Sequence, residues 1–313
     1  MQHGVTEGLP GAHDEKRRVA ITSVVAAVVL TGTKIVVGLA TGSLGILSEA
    51  AHSALDLVAA LMTVFAVRAS AKPADADHPY GHGKFENLSA LFETILLLVT
   101  CIWIIREAVL RLFFHEVAVE TTVWSFAVIV LSIAVDVGRS RALMKVAKKH
   151  GSAALEADAL HFSTDVWSSS VVLFGLAMVF LARFLHAPWL VKADSVAALA
   201  VAGIVAWVSI DMGRKTMGDL LDTVPPGMVE QAGAAALAVP GVEGVLRVRM
   251  RKASGEWFSD IAIQVGSHLS TEESHQVADA VEEVLSRIMP GGDVVVHVEP
   301  KAGPGDPSEV RPA

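Results

Sequence analysis

The sequence predicts a membrane protein of the all-α class, six membrane-spanning helices followed by a small soluble α+β domain. Two observations predict it. Of the 313 residues, 52% are hydrophobic and 19% charged, against about 45–50% and 25% in ordinary soluble domains. The apolar excess is also uneven: residues 19–217 hold nearly all the long apolar runs, while the last third has a soluble composition. This pattern excludes disorder, collagen and a disulfide scaffold. The single cysteine, Cys101, sits inside an apolar run as a small buried thiol. A formal net charge of −8 argues against a nucleic-acid partner.

A helix needs roughly 20 mostly apolar residues to cross a hydrocarbon layer of ~30 Å. Six stretches qualify, at 19–41, 45–67, 88–110, 121–138, 155–184 and 189–212. The first is not a cleaved signal: Asp14 and Glu15 mix with Lys16, Arg17 and Arg18 before it, and no small-residue cleavage site follows. Lysine and arginine placement sets the orientation. With both termini in the cytoplasm, the inner segments carry thirteen basic residues and the outer connections four, namely Arg106, Arg111, Arg183 and Lys192.

After the sixth span, Pro225-Pro226 breaks the helix and opens another over 227–238. Leu246, Val248 and Met250 alternate with Arg247, Arg249 and Arg251, the period of a half-buried strand. A turn at Ala253-Ser-Gly leads to a second strand through Ile261, Ile263 and Val265. Ser270 with Glu273 forms a capping-box pattern that opens a helix to Ile288. Gly291-Gly292 ends it, and Val294–Val298 is a third strand. The domains are thus a tail at 1–16, a membrane domain at 17–217, a linker at 218–226, an αββαβ module at 227–300 and a loose tail at 301–313. No glycine-rich nucleotide loop occurs, so no nucleotide is expected as cofactor or energy source.

Ionisable residues inside a bilayer cost at least a few kcal/mol each and point to function. The second span holds His52-x-x-x-Asp56 and the fifth His161-x-x-x-Asp165. This spacing sets both side chains on one helix face a turn apart. A single pair reads equally well as a satisfied structural contact. Two matching pairs on two apolar spans supply two imidazoles and two carboxylates, a four-coordinate set suited to Zn²⁺ whose charge they cancel. Lys34 is expected to pair with a carboxylate or snorkel. Glu49 and Glu93 read as structural or solvated, and Asp136 and Arg139 as interfacial groups near a helix end.

Two further clusters carry ligand-type side chains. In the inner loop, Asp75, His78 and His82 lie among Gly81 and Gly83, which allow a tight turn around a metal; a polar turn is the other reading. In the soluble module, His297 and Glu299 are two apart on a strand and share a face, with His275 on the preceding helix. They read as a metal site, within the module or between subunits, or as exposed polar residues. His3, His13, His115, His150, His186 and His268 have no partner at ligand spacing.

These residues together resemble the cation diffusion facilitator family over about residues 17–300. The resemblance rests on Gly42-Ser43, His52 through Asp56, Asp75 through Lys84, Asp158 through Asp165 and Leu220-Leu221-Asp222. It implies six helices with a cytoplasmic ferredoxin-like domain, a homodimer, and a bacterial inner membrane. It implies that His52, Asp56, His161 and Asp165 form the transport site and that this composition is zinc-selective. Asp75, His78 and His82 correspond to an inner-loop metal site, and Lys84 with Asp222 to an ion pair at the dimer contact. His275, His297 and Glu299 match part of a regulatory binuclear site. Two histidines of that site have no counterpart, since Leu246 or Val245 stands at one position and Ala262 at the other. A single weaker metal per subunit is therefore expected there.

The expected function is efflux of a divalent cation, Zn²⁺ first and Cd, Co, Fe or Ni as alternatives, in exchange for protons. Zn²⁺ is expected as substrate and as regulator, with lipid, protons and a second copy of the chain as partners. A non-transporting metal sensor would keep the soluble ligands and lose the buried ones, and the reverse is found. An intramembrane metallohydrolase lacks a general base beside an open metal position.

Overall fold

The computed structural model describes residues 10–113, 123–185, 193–289 and 292–301. The expected tails up to residue 9 and from residue 302, together with His3, His115, His186, Lys192 and Gly291, lie outside the described residues. Two compact units are present, Pro10–Met217 and a second that begins at Gly218.

The first unit holds α1 (Pro10–Thr41), α2 (Leu44–Ser70), α3 (Lys84–Phe113), α4 (Val123–His150), α5 (Ala153–Leu185) and most of α6 (Ala193–Leu220). Gly42, at φ 66°, ends α1 in a conformation that a side chain resists, and the Ser43 hydroxyl accepts the Ile46 N–H to start α2. The two helices therefore form a tight hairpin. Among the described residues, Gly11–Thr41, Glu49–Ser70 and Lys84–Leu110 are long and apolar enough to cross a membrane. Val29, Leu39, Leu55, Phe65, Ile102 and Trp103 stand exposed on these helices, a surface that suits lipid rather than water.

The helices outrun the apolar spans on which they are built. Hydropathy marks only the part that lies in hydrocarbon, and α4 shows why. Beyond residue 138 it buries Leu143, Val146 and Ala147 while Arg141, Lys145 and Lys148 face outward, so an amphipathic face replaces the apolar run. This corrects the placement of Asp136 and Arg139. They lie inside α4, buried, with Arg139 Nη1 3.2 Å from Asp136 Oδ1. The Arg139 guanidinium also donates to Ser23 Oγ and sits 3.4 Å from the Phe162 ring centre. Small residues make the close packing here: Ala20, Ala60, Ala147, Ala154 and Ala159 surround Leu143, Leu155 and Phe162.

The second unit contains α7 (Met228–Leu237), β1 (Val242–Ala253), β2 (Glu256–Val265), α8 (Thr271–Ile288) and β3 (Asp293–Pro300). The sheet order is β1-β2-β3, with β1 antiparallel and β3 parallel to β2. Ser254 and Gly255 both have positive φ, the signature of a two-residue type I′ hairpin. The parallel β2–β3 pair requires a crossover, which α8 supplies. Ala232 and Ala236 of α7, Ile261 and Ile263 of β2, and Val281 and Leu285 of α8 share one core.

The capping box of α8 is complete. Glu273 N–H donates to Ser270 Oγ at 3.2 Å, and the Glu273 carboxylate accepts the Ser270 backbone N–H at 2.8 Å. Ser270→Ala is expected to cost about 1 kcal/mol, read as lower amide protection in the first turn of α8 in the full-length protein. The Ser270 N–H, and then its hydroxyl, hold the Glu273 carboxyl below its usual value. That stabilisation is present above the ordinary Glu pKa of about 4.3 and is lost as pH falls through the lower folded value. Acid should therefore reduce protection in this turn of the wild type.

Candidate metal centre

The matched pairs meet. His52 and Asp56 on α2 face His161 and Asp165 on α5, and the four side chains alternate around a ring. His52 Nε2 is 4.0 Å from Asp56 Oδ1 and 3.8 Å from Asp165 Oδ1. His161 Nε2 is 3.3 Å from Asp56 Oδ1 and 3.6 Å from Asp165 Oδ2. A regular tetrahedron with metal–ligand bonds of about 2.0–2.1 Å has edges near 3.3–3.4 Å. His52, Asp56 and Asp165 offer ligand atoms all within 4.8 Å of one another, and His161 stands outside that closest group, 3.3 Å from Asp56 and 3.6 Å from Asp165. Each nitrogen faces oxygens, as the attraction between imidazole and carboxylate requires before a cation replaces it.

Neighbouring groups hold the ring in place. Lys34 of α1 donates to Ser53 Oγ at 2.7 Å, and its ammonium lies 3.3 Å from Glu49 Oε2. It therefore ties α1 to the turn of α2 that carries His52, and Glu49 is taken up as its counter-charge. Phe162 meets the His161 ring edge-on with centres 5.5 Å apart. Exposure is graded around the ring: the His161 side chain is 7% exposed and that of His52 36%. The ring is thus most accessible at His52.

The inner-loop trio is also assembled. Asp75 Oδ1 accepts the backbone N–H of His78 at 2.7 Å and of Asp77 at 3.1 Å, an Asx turn. His78 Nδ1 and His82 Nε2 each lie 3.4 Å from an Asp75 oxygen. His82 Nδ1 is 3.2 Å from the Pro73 carbonyl, so it carries the proton and leaves Nε2 as a lone pair for a metal. Gly81, at φ 78°, makes the turn that brings His82 back. The His78 N–H is the main cause holding the Asp75 carboxyl below its ordinary range.

The soluble residues are not brought together in one module. His297 Nε2 is 3.2 Å from Glu299 Oε1 on the exposed face of β3, whereas His275 pairs with Asp279 one turn along α8 at 3.7 Å. Among the described residues no third ligating side chain joins either pair. Ala262 stands directly across from His297 in the sheet, and Leu246 falls at a register break between Val245 and Arg247. Lys84 begins α3, and Asp222, at φ 60°, follows α6 in the other unit.

Profiles of two adjoining domains match this chain. Residues 20–221 match the cation efflux transmembrane domain, and residues 224–301 match the cation efflux protein cytoplasmic domain. The chain belongs to the cation efflux family. It is similar to the cation-efflux pump FieF of Pectobacterium carotovorum, 28% identical over 90% of this chain and 91% of that protein. An uncharacterized transporter of Synechocystis is 30% identical over 92% and 91%. Metal tolerance protein 2 of rice (Oryza sativa subsp. japonica) is 29% identical over 91% of this chain and 78% of its own length. The solved fragment MamM-CTD 215-293 aligns with 24% of this chain at 25% identity and a TM-score of 0.23, too slight a likeness to rest the fold on.

As a cation efflux protein, the chain is an integral membrane transporter rather than an enzyme. Three further acidic groups, Glu86, Glu93 and Asp158, are buried in the same unit, and the sequence motifs give none of them a ligand role. Glu86 at the start of α3 pairs with Lys16 of α1 at 3.2 Å and accepts from Ser70 of α2 at 2.8 Å and from Ser152 ahead of α5. Glu93 and Asp158 are both fully buried, which corrects the solvated reading of Glu93. The one available sequence signal was the seven-residue spacing of Glu86 from Glu93, and of Asp158 from Asp165.

Proposed function

We propose that this cation efflux protein exports Zn²⁺ from the bacterial cytoplasm across the inner membrane in exchange for protons. The observation that carries the reading is the closed ring of two imidazoles and two carboxylates contributed by two separate helices, with edges of 3.3 to 4.0 Å. Its two negative charges cancel those of one dication, so the loaded site adds no net charge to a low-dielectric region. The names of the relatives, a cation-efflux pump and a metal tolerance protein, support a metal cargo.

Zinc binds deprotonated ligands, so metal and protons compete for the same four side chains. Zn²⁺ enters from the cytoplasm, the helices rock to expose the ring outside, and outside protons displace the metal and ride back. All six helices span the membrane in this reading, and the thirteen-to-four bias of basic residues puts both termini inside. Asp75, His78 and His82 hold a second metal at the inner loop. The chain works as a homodimer, with Lys84 and Asp222 as an ion pair at its contact. His275, His297 and Glu299 answer to cytoplasmic zinc, with ligands shared between copies.

The test is zinc-driven proton movement in proteoliposomes, scanned across divalent metals. Zinc is expected to move protons against its own direction; zinc flux with no proton movement would remove the exchange. His52→Asp replaces one imidazole by a carboxylate and makes the ring one charge more negative. The zinc-over-cadmium flux ratio is expected to fall, and an unchanged ratio would discredit selection by ligand composition.

A further inference from the structure

The ring sits atop a column of polar side chains repeated every seven residues. On α2 these are Asp56, Thr63 and Ser70; on α3, Glu86 and Glu93; on α5, Asp158 and Asp165. Seven residues are two helical turns, about 10 Å of rise, and return nearly to the same face. Because α2 and α5 run in opposite directions, Thr63 and Asp158 stand at one level, two turns below the two ring aspartates. Thr63 Oγ donates to Glu93 Oε1 at 2.5 Å and brings the third helix to that level. Ala90, one turn before Glu93, packs in the same cluster as Ala157 beside Asp158.

The two lower levels differ in how they are satisfied. Glu86, at the end of the column, is served by Lys16, Ser70 and Ser152. At the middle level, Glu93 Oε2 and both oxygens of Asp158 are buried without a hydrogen-bond partner among the described residues. Arg139 and His161 are the positive neighbours of Asp158, and the Ser23 hydroxyl lies near it, yet the Arg139 hydrogen bonds go to Asp136 and Ser23. Buried carboxylate oxygens left open on this scale call for a positive occupant.

We propose that Glu93 and Asp158 form a second cation station, on the cytoplasmic side of the ring, that holds a partly hydrated divalent cation in transit. It rests on the efflux reading for its direction of travel. Three carboxylate oxygens offer an oxygen-only set, completed by water, that binds a divalent ion more weakly than two imidazoles and two carboxylates. Weakness suits a station, since a cation must leave it to reach the ring. Thr63 is a positioning residue that fixes the Glu93 carboxylate.

The test uses the full-length protein in lipid nanodiscs and proteoliposomes with Zn²⁺ alone as probe. Glu93→Gln and Asp158→Asn are each expected to lose one weak zinc site per chain by equilibrium dialysis while the ring keeps its affinity. Flux at low zinc on the cytoplasmic side should fall about tenfold, the scale seen for groups that support a metal site, through a raised KM. Glu93→Asp should restore part of it. Unchanged stoichiometry in both variants overturns the station. Unchanged stoichiometry with fewer protons moved per zinc also overturns it, by showing that the pair holds protons. If Asp158→Asn fails to fold, Glu93→Gln, which keeps an acceptor for Thr63, decides alone. Wild-type vesicles that move no divalent cation would sink the efflux reading, while the dialysis result would still stand on the station.

Discussion

Proteoliposomes carrying Asp165→Ala protein are expected to show no zinc flux above that of empty vesicles. Asp165 provides two of the four edges of the ring, at 3.8 Å to His52 and 3.6 Å to His161. Without it three ligands remain and the loaded site carries one uncancelled positive charge. A charge in the membrane interior costs at least about 2.5–3.5 kcal/mol, and each 1.4 kcal/mol is about tenfold in affinity. Zinc affinity should therefore fall by at least about a hundredfold before the lost bond itself is counted. The measurement is zinc uptake under an imposed proton gradient, with zinc binding to the same preparation as control. Uptake at the wild-type rate would remove the ring as the transport site. Asp56→Ala should behave alike, since Asp56 Oδ1 is 3.3 Å from His161 and 4.0 Å from His52.

The ring was legible in the sequence for a local reason. Both of its halves are i,i+4 pairs on a single helix, and polar pairs of that spacing stand out within apolar runs. The same holds for the αββαβ order, where two-residue alternation, a Ser-Gly turn and a capping box each speak for a neighbouring stretch of chain. What stayed hidden is non-local. His150 lies 2.8 Å from Glu15 across 135 residues, and no spacing rule connects them. Helix lengths were underestimated because hydropathy goes silent where α4 turns amphipathic, which also moved Asp136 and Arg139 from a supposed end into a packed interior. In the soluble module the sequence left His275 to meet His297 within one copy or across two, or to stand exposed, and within the copy α8 sets it 3.7 Å from Asp279.

Replacing Glu86 by alanine is the substitution expected to cost most in stability. The Glu86 carboxylate is fully buried and the Lys16 side chain is 5% exposed, so water screens little of their attraction. The same carboxylate gathers Ser70 at the end of α2 and Ser152 at the entry to α5. Alanine removes a carboxylate 3.2 Å from the Lys16 ammonium and the acceptor of two buried hydroxyls at once. Breaking a buried pair from one side costs about 3–5 kcal/mol, a large share of the 5–15 kcal/mol by which proteins of this kind are stable. Glu86→Ala should therefore lower the unfolding temperature in detergent sharply, and Glu86→Gln, which keeps an acceptor for the serines, should lower it less. Lys16→Met combined with Glu86→Leu removes both charges and should recover much of the loss, because removing one side of a buried pair costs more than removing both. A double variant no more stable than Glu86→Ala would show that the serine contacts, not the charge pair, hold these four segments together.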